Sequence, residues 1–399
     1  MTHQSGRHFL QIPGPTNVPE RVLRAMGAPT IDHRGPAFQA LTAEVLEGMG
    51  AVLQTQQPVV LYPASGTGAW EAALVNTLSP GDRVLMAETG HFATLWKQIA
   101  LKHGLVPEFI PGDWRHGVDA THVEASLAGD SDHAIKAVCV VHNETSTGVT
   151  SDVPAVRRAL DSVGHSALLL VDTISSLASI DYRHDEWGVD VTVGASQKGL
   201  MLPPGLSFNA ISEKALAASE HATMSRSFWE WAPILKANKN GFFPYTPATN
   251  LLYGLREALR MLFDEGLENV FARHDRHAEA TRRAVTAWGL ELLCIDESEY
   301  SSSITAIMMP DGHDSSHLLD IVLKHFDMSL GVGLSNLAGK VFRIGHLGDF
   351  NDLSLVGTLG GVEMGLTLAG VPHTSGGVTS ALTYLGECVN SDVKEPVAT

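Results

Sequence analysis

The sequence predicts an α/β fold, a mainly parallel sheet covered on both faces by helices, with a smaller α+β domain following it. Three observations predict this. Short apolar runs alternate with helix-patterned segments over about 150 residues, the signature of βαβ units. The runs are apolar throughout rather than at every second residue, so the strands they form are buried from both sides. Three polar motifs, at Ser65–Gly68, Asp172 and Lys198, fall at the ends of such runs, where parallel sheets bind their ligands.

The elements follow in order. Residues 9–20 read FLQIPGPTNVPE; three prolines and a glycine forbid regular helix there, so the segment is an extended arm. Helical spacing runs from Phe38 to Leu53. Val59–Tyr62 is a strand that ends in PASGTG, and a helix follows to about Leu78, where Pro80-Gly81 stops it. Val84–Ala87 is the next strand and Phe92–Lys102 the next helix. Ile135–Val141 is a strand ending in HNETSTG, Val153–Val163 a helix, and Ala167–Val171 a fully buried strand ending at Asp172. Val189–Val193 is a strand that ends near Ser196-Gln197-Lys198. Helical patterns cover 250–263 and 267–289. Beyond about Leu290 the strands Ser303–Met309 and Val341–Ile344 mix with helices, and the polar tail after Gly386 is expected to fray. The predicted organisation is an N-terminal arm (1–20), a large domain (21–275) and a small C-terminal domain with a polar tail (276–399).

Composition limits the partners. The chain has 399 residues, 44% hydrophobic and 18% charged, so a folded chain of more than one domain is expected. A net charge of −17 repels phosphate backbones and anionic lipid, which argues against nucleic acid and membrane as partners. No apolar run is long enough to span a bilayer, and the first residues lack the apolar core of a secretory signal. Cys139, Cys294 and Cys388 are too widely spaced for a disulfide framework or a zinc site, and a reducing, cytoplasmic home is the simple reading.

Four signals carry chemistry. Lys198, at a strand end in a mostly buried setting, can lose its proton and attack an aldehyde; its plainer reading is a surface lysine capping a loop. Asp172 follows a buried apolar run, where a carboxylate is costly without a cationic partner, and a protonated pyridine nitrogen is such a partner; its plainer reading is a helix cap. Ser65-Gly66-Thr67-Gly68 joins a strand to a helix, where backbone N–H groups, hydroxyls and the helix dipole suit a phosphate; its plainer reading is a Ser/Thr cap. The motif is neither a P-loop nor GxGxxG, since Glu71 stands at the last position. Arg343, between apolar neighbours on a short strand, suits the two-pronged recognition of a substrate carboxylate, or else a buried ion pair.

The segments PGPTNVP, PASGTGAWE, HNETSTGV, VDTISS, GASQKG, PYTP and GKVFRIGHLGD together resemble the class V aminotransferases of fold type I, within them the serine–glyoxylate and alanine–glyoxylate group, over roughly residues 8–385. The resemblance implies the three-layer fold of pyridoxal-phosphate (PLP) transferases, PLP as cofactor, and a homodimer with shared active sites. It implies transamination between a small L-amino acid, L-serine first, and glyoxylate, giving hydroxypyruvate and glycine by a ping-pong route. Alanine–glyoxylate, aspartate–glyoxylate and serine–pyruvate exchange are the alternatives within the class; a nucleotide-binding α/β protein is the alternative outside it. By the same resemblance Lys198 carries the cofactor's aldehyde as a Schiff base and Asp172 pairs with its ring nitrogen. Ser65, Gly66, Thr67 and Gln197 hold its phosphate, Thr145 its ring oxygen, and Phe92 stacks on the ring. Arg343 clamps the substrate carboxylate. From the partner subunit Tyr245 and Thr246 reach the phosphate, His33 and Arg34 line the pocket, and Pro13, Gly14 and Pro15 form a wall.

The chain departs from the family pattern in places. It reads NETSTG for NETATG and DTISS for DGVSS, so Thr173 is expected to add a side chain behind the cofactor and Ser146 to be a mild change. His33 stands where some members have tyrosine, which puts the donor in question. Other features tempt. His274 and His277 read as a solvated helix face and His313 and His317 as a polar loop, with no metal expected. Cys294 lies in the strand-like run LELLCI, away from a desulfurase role. His91 precedes the stacking ring. Trp229 and Trp231, in SFWEWAP, suit core, dimer contact or lid.

Overall fold

A computed structural model describes residues 6–394. Strand β1 (Phe9–Gln11) precedes the large sheet, whose seven strands are β2 (Val59–Tyr62), β3 (Arg83–Ala87), β4 (Val106–Ile110), β5 (Ile135–Val141), β6 (Leu168–Asp172), β7 (Val191–Ala195) and β8 (Ser207–Ile211). Their order is β2-β8-β7-β6-β5-β3-β4, parallel from β7 to β4, and β8 alone runs against its neighbours. Side chains along one strand alternate between two apolar layers. Val138, Val140, Leu169 and Val171 enter one, and Cys139, Val141, Leu168 and Leu170 the other. Because both layers are apolar, the sequence shows unbroken runs, and each such Val or Leu contributes about 1.5–3 kcal/mol by leaving water.

Helices cover both layers. Pro36–Leu53 and Thr249–Glu265 pack on one, Gly66–Thr77 and His91–Lys102 on the other. A second sheet, ordered β1-β10-β11-β9, comprises β9 (Ile304–Met308), β10 (Met328–Val332) and β11 (Val341–Gly345) beside β1. The N-terminal arm therefore joins the C-terminal sheet, β1 lying parallel to β10. The helix Leu267–Trp288 is continuous through residue 275; Val270 belongs to the large-sheet core, and Ala280, Ala284 and Trp288 to the C-terminal core.

Some expectations shift. The strand expected at 189–193 begins two residues later, because the Asp190 carboxylate accepts from Leu169 N and Ser212 Oγ and ends the ladder there. Three strands escape the pattern. Edge strand β4 contains Pro107, β8 carries the buried polar residues Ser207 and Asn209, and β10 (MSLGV) interrupts its apolar run with Ser329 and Gly331. The chain after Gly386 is not frayed at once: Gly377–Lys394 is helical, held to the C-terminal core by Ala381 and Leu385. Residues 395–399 lie outside the described residues. The run LELLCI is not a strand; Leu292 makes one isolated bridge to Ile307.

Candidate active site

The carboxyl ends of β2, β5, β6 and β7 lie along one edge of the large sheet, so the loops following them converge there. With Gly14 and Pro15 of the same chain's arm, rather than the partner's as expected, they enclose a cavity of about 240 Å³. Gly14, Ser65, Gly66, Thr67, Phe92, Thr145, Asp172, Gln197 and Lys198 all line it. Tyr245, Thr246, His33 and Arg34 do not: Tyr245 donates its hydroxyl to Leu61 O at 2.7 Å, while Thr246 and Arg34 are exposed.

Lys198 and Asp172 are both buried on this edge. The Lys198 amine donates to the carbonyl of Pro13. The arm is stitched to the lysine turn, Thr16 N donating to Gln197 O at 3.1 Å and Thr16 Oγ1 to Lys198 O at 3.2 Å. Gly14 has a φ of +92°, and a Cβ there would stand 2.3 Å from Lys198 Cδ, so the backbone conformation and the close approach both call for glycine. Asp172 accepts from Ile174 N at 2.6 Å and from the indole N–H of Trp70 at 3.0 Å. Burial pushes Lys198 down from 10.5 to about 7, with the Arg343 cation adding to the push. Burial also pushes Asp172 up from 3.8 to about 7. Each group loses more by leaving water than the other returns by attraction.

Ser65 takes the N-cap position of Gly66–Thr77 but makes no capping bond, which leaves its hydroxyl free for another acceptor or donor. A Cβ on Gly66 would meet Ile174 Cδ1 at 2.3 Å, so the turn packs tightly under the cavity floor. Phe92 lies in the first turn of its helix. That turn is held by Glu144, a buried carboxylate that accepts from Phe92 N, Ala93 N, Ser146 N and Ser146 Oγ. Ser146 Oγ in turn accepts from His91 N at 2.9 Å, so this residue braces the start of the helix. His91 itself leaves the cavity and hydrogen-bonds Ser335 at 2.8 Å.

Arg343 stands beside the cavity. It is 6% exposed, donates Nε to Val332 O at 2.9 Å and Nη1 to Thr145 O at 2.6 Å, and has no ion pair among the described residues. The ion-pair alternative is thus absent there, and a buried guanidinium held by carbonyls alone is short of a counter-charge.

Several expectations need correction. Thr173 does not line the cavity; it is fully buried, and its hydroxyl and its N–H both donate to Val193 O, beside Asp172 in the next strand. His274 and His277 are not solvated. His274 lies between Val270 O and Gly348 N, and His277 bonds Asp352 at 2.8 Å. Trp231 is core, donating to the Tyr62 hydroxyl, and Trp229 packs edge-on to Tyr62 and against Gly68. Trp70, Asn143, Ile174 and Ser175 line the cavity without having been expected. Trp70 had one available signal: it lies four residues after Gly66, on the same helix face.

PLP fits this donor set. Among the described residues the Gln197 side-chain oxygen is buried without a partner and Ser65 makes no capping bond at its helix N-terminus, and a buried amine and a buried carboxylate flank the same space.

Comparison with known proteins agrees. The family model for aminotransferase class-V matches residues 8–335. The chain is 48% identical to the serine–glyoxylate aminotransferase of Methylorubrum extorquens, over 97% of this chain and 98% of that one. It is 46% identical to the L-aspartate–glyoxylate aminotransferase of Paracoccus denitrificans, over 93% and 94%. The crystal structure of a ureidoglycine–glyoxylate aminotransferase from Bacillus subtilis superposes with a TM-score of 0.89 at 26% identity, covering 97% of this chain and 100% of that one. A parallel sheet that brings an amine and a carboxylate to one edge, matched along nearly its whole length by such relatives, leaves one assignment: the chain belongs to the class V aminotransferase family, PLP enzymes of fold type I.

Proposed function

We propose that the protein moves the amino group of a small L-amino acid, L-serine first, onto glyoxylate, giving hydroxypyruvate and glycine in two half-reactions. One observation carries the reading: Lys198 and Asp172 share a cavity beside a buried guanidinium, Arg343, that lacks a carboxylate. The relatives named for serine–glyoxylate and aspartate–glyoxylate exchange support glyoxylate as acceptor.

When bound, PLP supplies an aldehyde that exchanges amines and a ring that withdraws electrons. Ser65, Gly66, Thr67 and Gln197 would hold its phosphate, Thr145 its ring oxygen, and Phe92 its face. With a pKa near 7, the Lys198 amine is neutral in a large fraction at neutral pH, so Nζ would hold the cofactor's aldehyde and, once the substrate's amine has displaced it, would be free to take the proton from the substrate Cα. Asp172 would hold the bound ring's nitrogen in its protonated form, and that cation would remove much of the cost of the buried carboxylate. Arg343 orients the substrate carboxylate through paired N–H groups.

The second subunit belongs to the proposal. Tyr245, Thr246, His33 and Arg34 lie off the cavity of their own chain, which supports their reading as residues that reach a partner's site in a homodimer.

Steady-state rates with serine, alanine and aspartate against glyoxylate and pyruvate test the substrates. Serine with glyoxylate should give the highest kcat/KM; a larger value for aspartate or alanine would replace serine as donor. Borohydride should fix the yellow chromophore on the peptide containing Lys198, and a label elsewhere would overturn the anchor.

A further inference from the structure

We propose that Trp70 is a positioning residue for Asp172: its indole N–H fixes one carboxylate oxygen, so that the other side of the carboxylate is presented to the heterocycle's nitrogen. The inference rests on the reading of Asp172 as that nitrogen's partner.

Three observations carry it. Asp172 is buried, and its two oxygens have separate donors: Oδ1 takes Ile174 N and Oδ2 takes Trp70 Nε1 at 3.0 Å. Backbone geometry fixes the first, because Ile174 is two residues away in the same turn. The second comes from 102 residues earlier in the chain and alone locks the rotation of the carboxylate. The donor is rigid: Trp70 is 2% exposed, stacks on Trp96 at 5.8 Å with planes 12° apart, and meets Phe92 at 6.5 Å.

Packing alone does not account for the bond. Trp96 is just as buried in the same layer, yet its indole N–H has no partner among the described residues. The fold therefore tolerates an unsatisfied indole here, while Trp70 aims its own at a carboxylate. The placement also links the two ends of the cofactor site. Trp70 and Gly66 lie on one face of the helix that starts at the phosphate turn, so a single rigid element sets the phosphate end and steadies the group at the nitrogen end. The other charges acting on Asp172 are Glu144, which opposes its ionisation, and Lys198, which favours it.

The test compares Trp70→Phe, Trp96→Phe and Asp172→Asn as full-length protein. The readouts are the dissociation constant of PLP and the pH dependence of the bound-cofactor absorbance, with no turnover required. Trp70→Phe keeps a ring against Trp96 and loses the donor together with part of the ring's volume, and Trp96→Phe makes the same truncation in the same layer where no donor bond is lost. It should weaken PLP by about tenfold to a hundredfold, the effect of losing one hydrogen bond to a charged group, and should shift the absorbance titration. Trp96→Phe should do neither. If Trp70→Phe binds PLP and titrates like the parent while Asp172→Asn does not, the role of Trp70 is wrong and that of Asp172 stands. If Asp172→Asn also matches the parent, the reading beneath it fails. Should Trp70→Phe not fold, 3-benzothienylalanine at position 70 keeps the bicyclic outline without the N–H and decides the matter in the same way.

Discussion

Arg343 and Thr145 are joined: the guanidinium Nη1 donates to the Thr145 carbonyl at 2.6 Å. The cation comes from β11 of the C-terminal sheet and the carbonyl from the loop after β5 of the large sheet. The guanidinium proposed as the substrate clamp and the cavity wall are thus fixed to each other, and only Nε and Nη1 are committed to carbonyls.

Arg343→Lys should keep the charge and lose the fork. Charge-assisted hydrogen bonds lost here are worth about 1.5–3 kcal/mol, so kcat/KM should fall by roughly tenfold to a hundredfold for amino and oxo acid alike. Steady-state kinetics with both substrates checks this; a loss confined to one would mean the clamp is not shared.

Asp172→Asn should stabilise the cofactor-free protein. The folded-state pKa of Asp172 is raised to about 7, so its ionisation opposes folding, and stability falls as pH rises from about 4 towards 7. Three pH units correspond to about 4 kcal/mol at most. The variant should melt higher than the parent at pH 8, with the gap narrowing towards pH 5. PLP affinity should move the opposite way. Thermal melts across that range decide it, and an unchanged melting temperature at pH 8 would contradict the burial cost.

Gly14→Ala should lower turnover on the order of 10²-fold through misplacement of Lys198. Gly81→Ala is the control: Gly81 has the same φ of +92° and nothing within 4 Å of an added Cβ. It shares the backbone strain without the clash, so its kcat should match the parent's. Equal losses in the two variants would assign the effect to strain.

Glu144→Ala should lower the melting temperature more than Ser146→Ala. The first leaves the N–H groups of Phe92 and Ala93 unmatched at a buried helix start, at about 1–3 kcal/mol each. The second removes one hydroxyl brace, worth about 1 kcal/mol. Fluorescence melts of both variants check the order.

The sheet and most of the site are legible from the amino acids because both faces of the strands are apolar and the ligand groups follow directly after strand ends. Lys198, Asp172 and the turn at Ser65 are found that way. What stays hidden depends on contacts between distant segments. Trp70 finds Asp172 across 102 residues, and Glu144 finds the start of the Phe92 helix across about fifty, with no local pattern to announce either. Thr173 follows a strand end like its neighbours, but nothing local says that its hydroxyl folds back to Val193 O. The histidines 274 and 277 are polar and helically spaced, which reads as a wet face until Gly348 and the start of the helix Asp352–Leu368 are laid over them. Strand β4 is masked by Pro107, tolerable only because the strand is at the edge.

Residues 9–11 are woven into the C-terminal sheet, and residues 13 and 14, two links further on, press against the side chain of Lys198. The arm is a short tether between the part of the molecule that carries Arg343 and the reactive amine. A displacement of that part therefore pulls on the backbone beside the lysine, and a single backbone cut between Gln11 and Pro13 should uncouple the two while leaving the side chains of the candidate site in place.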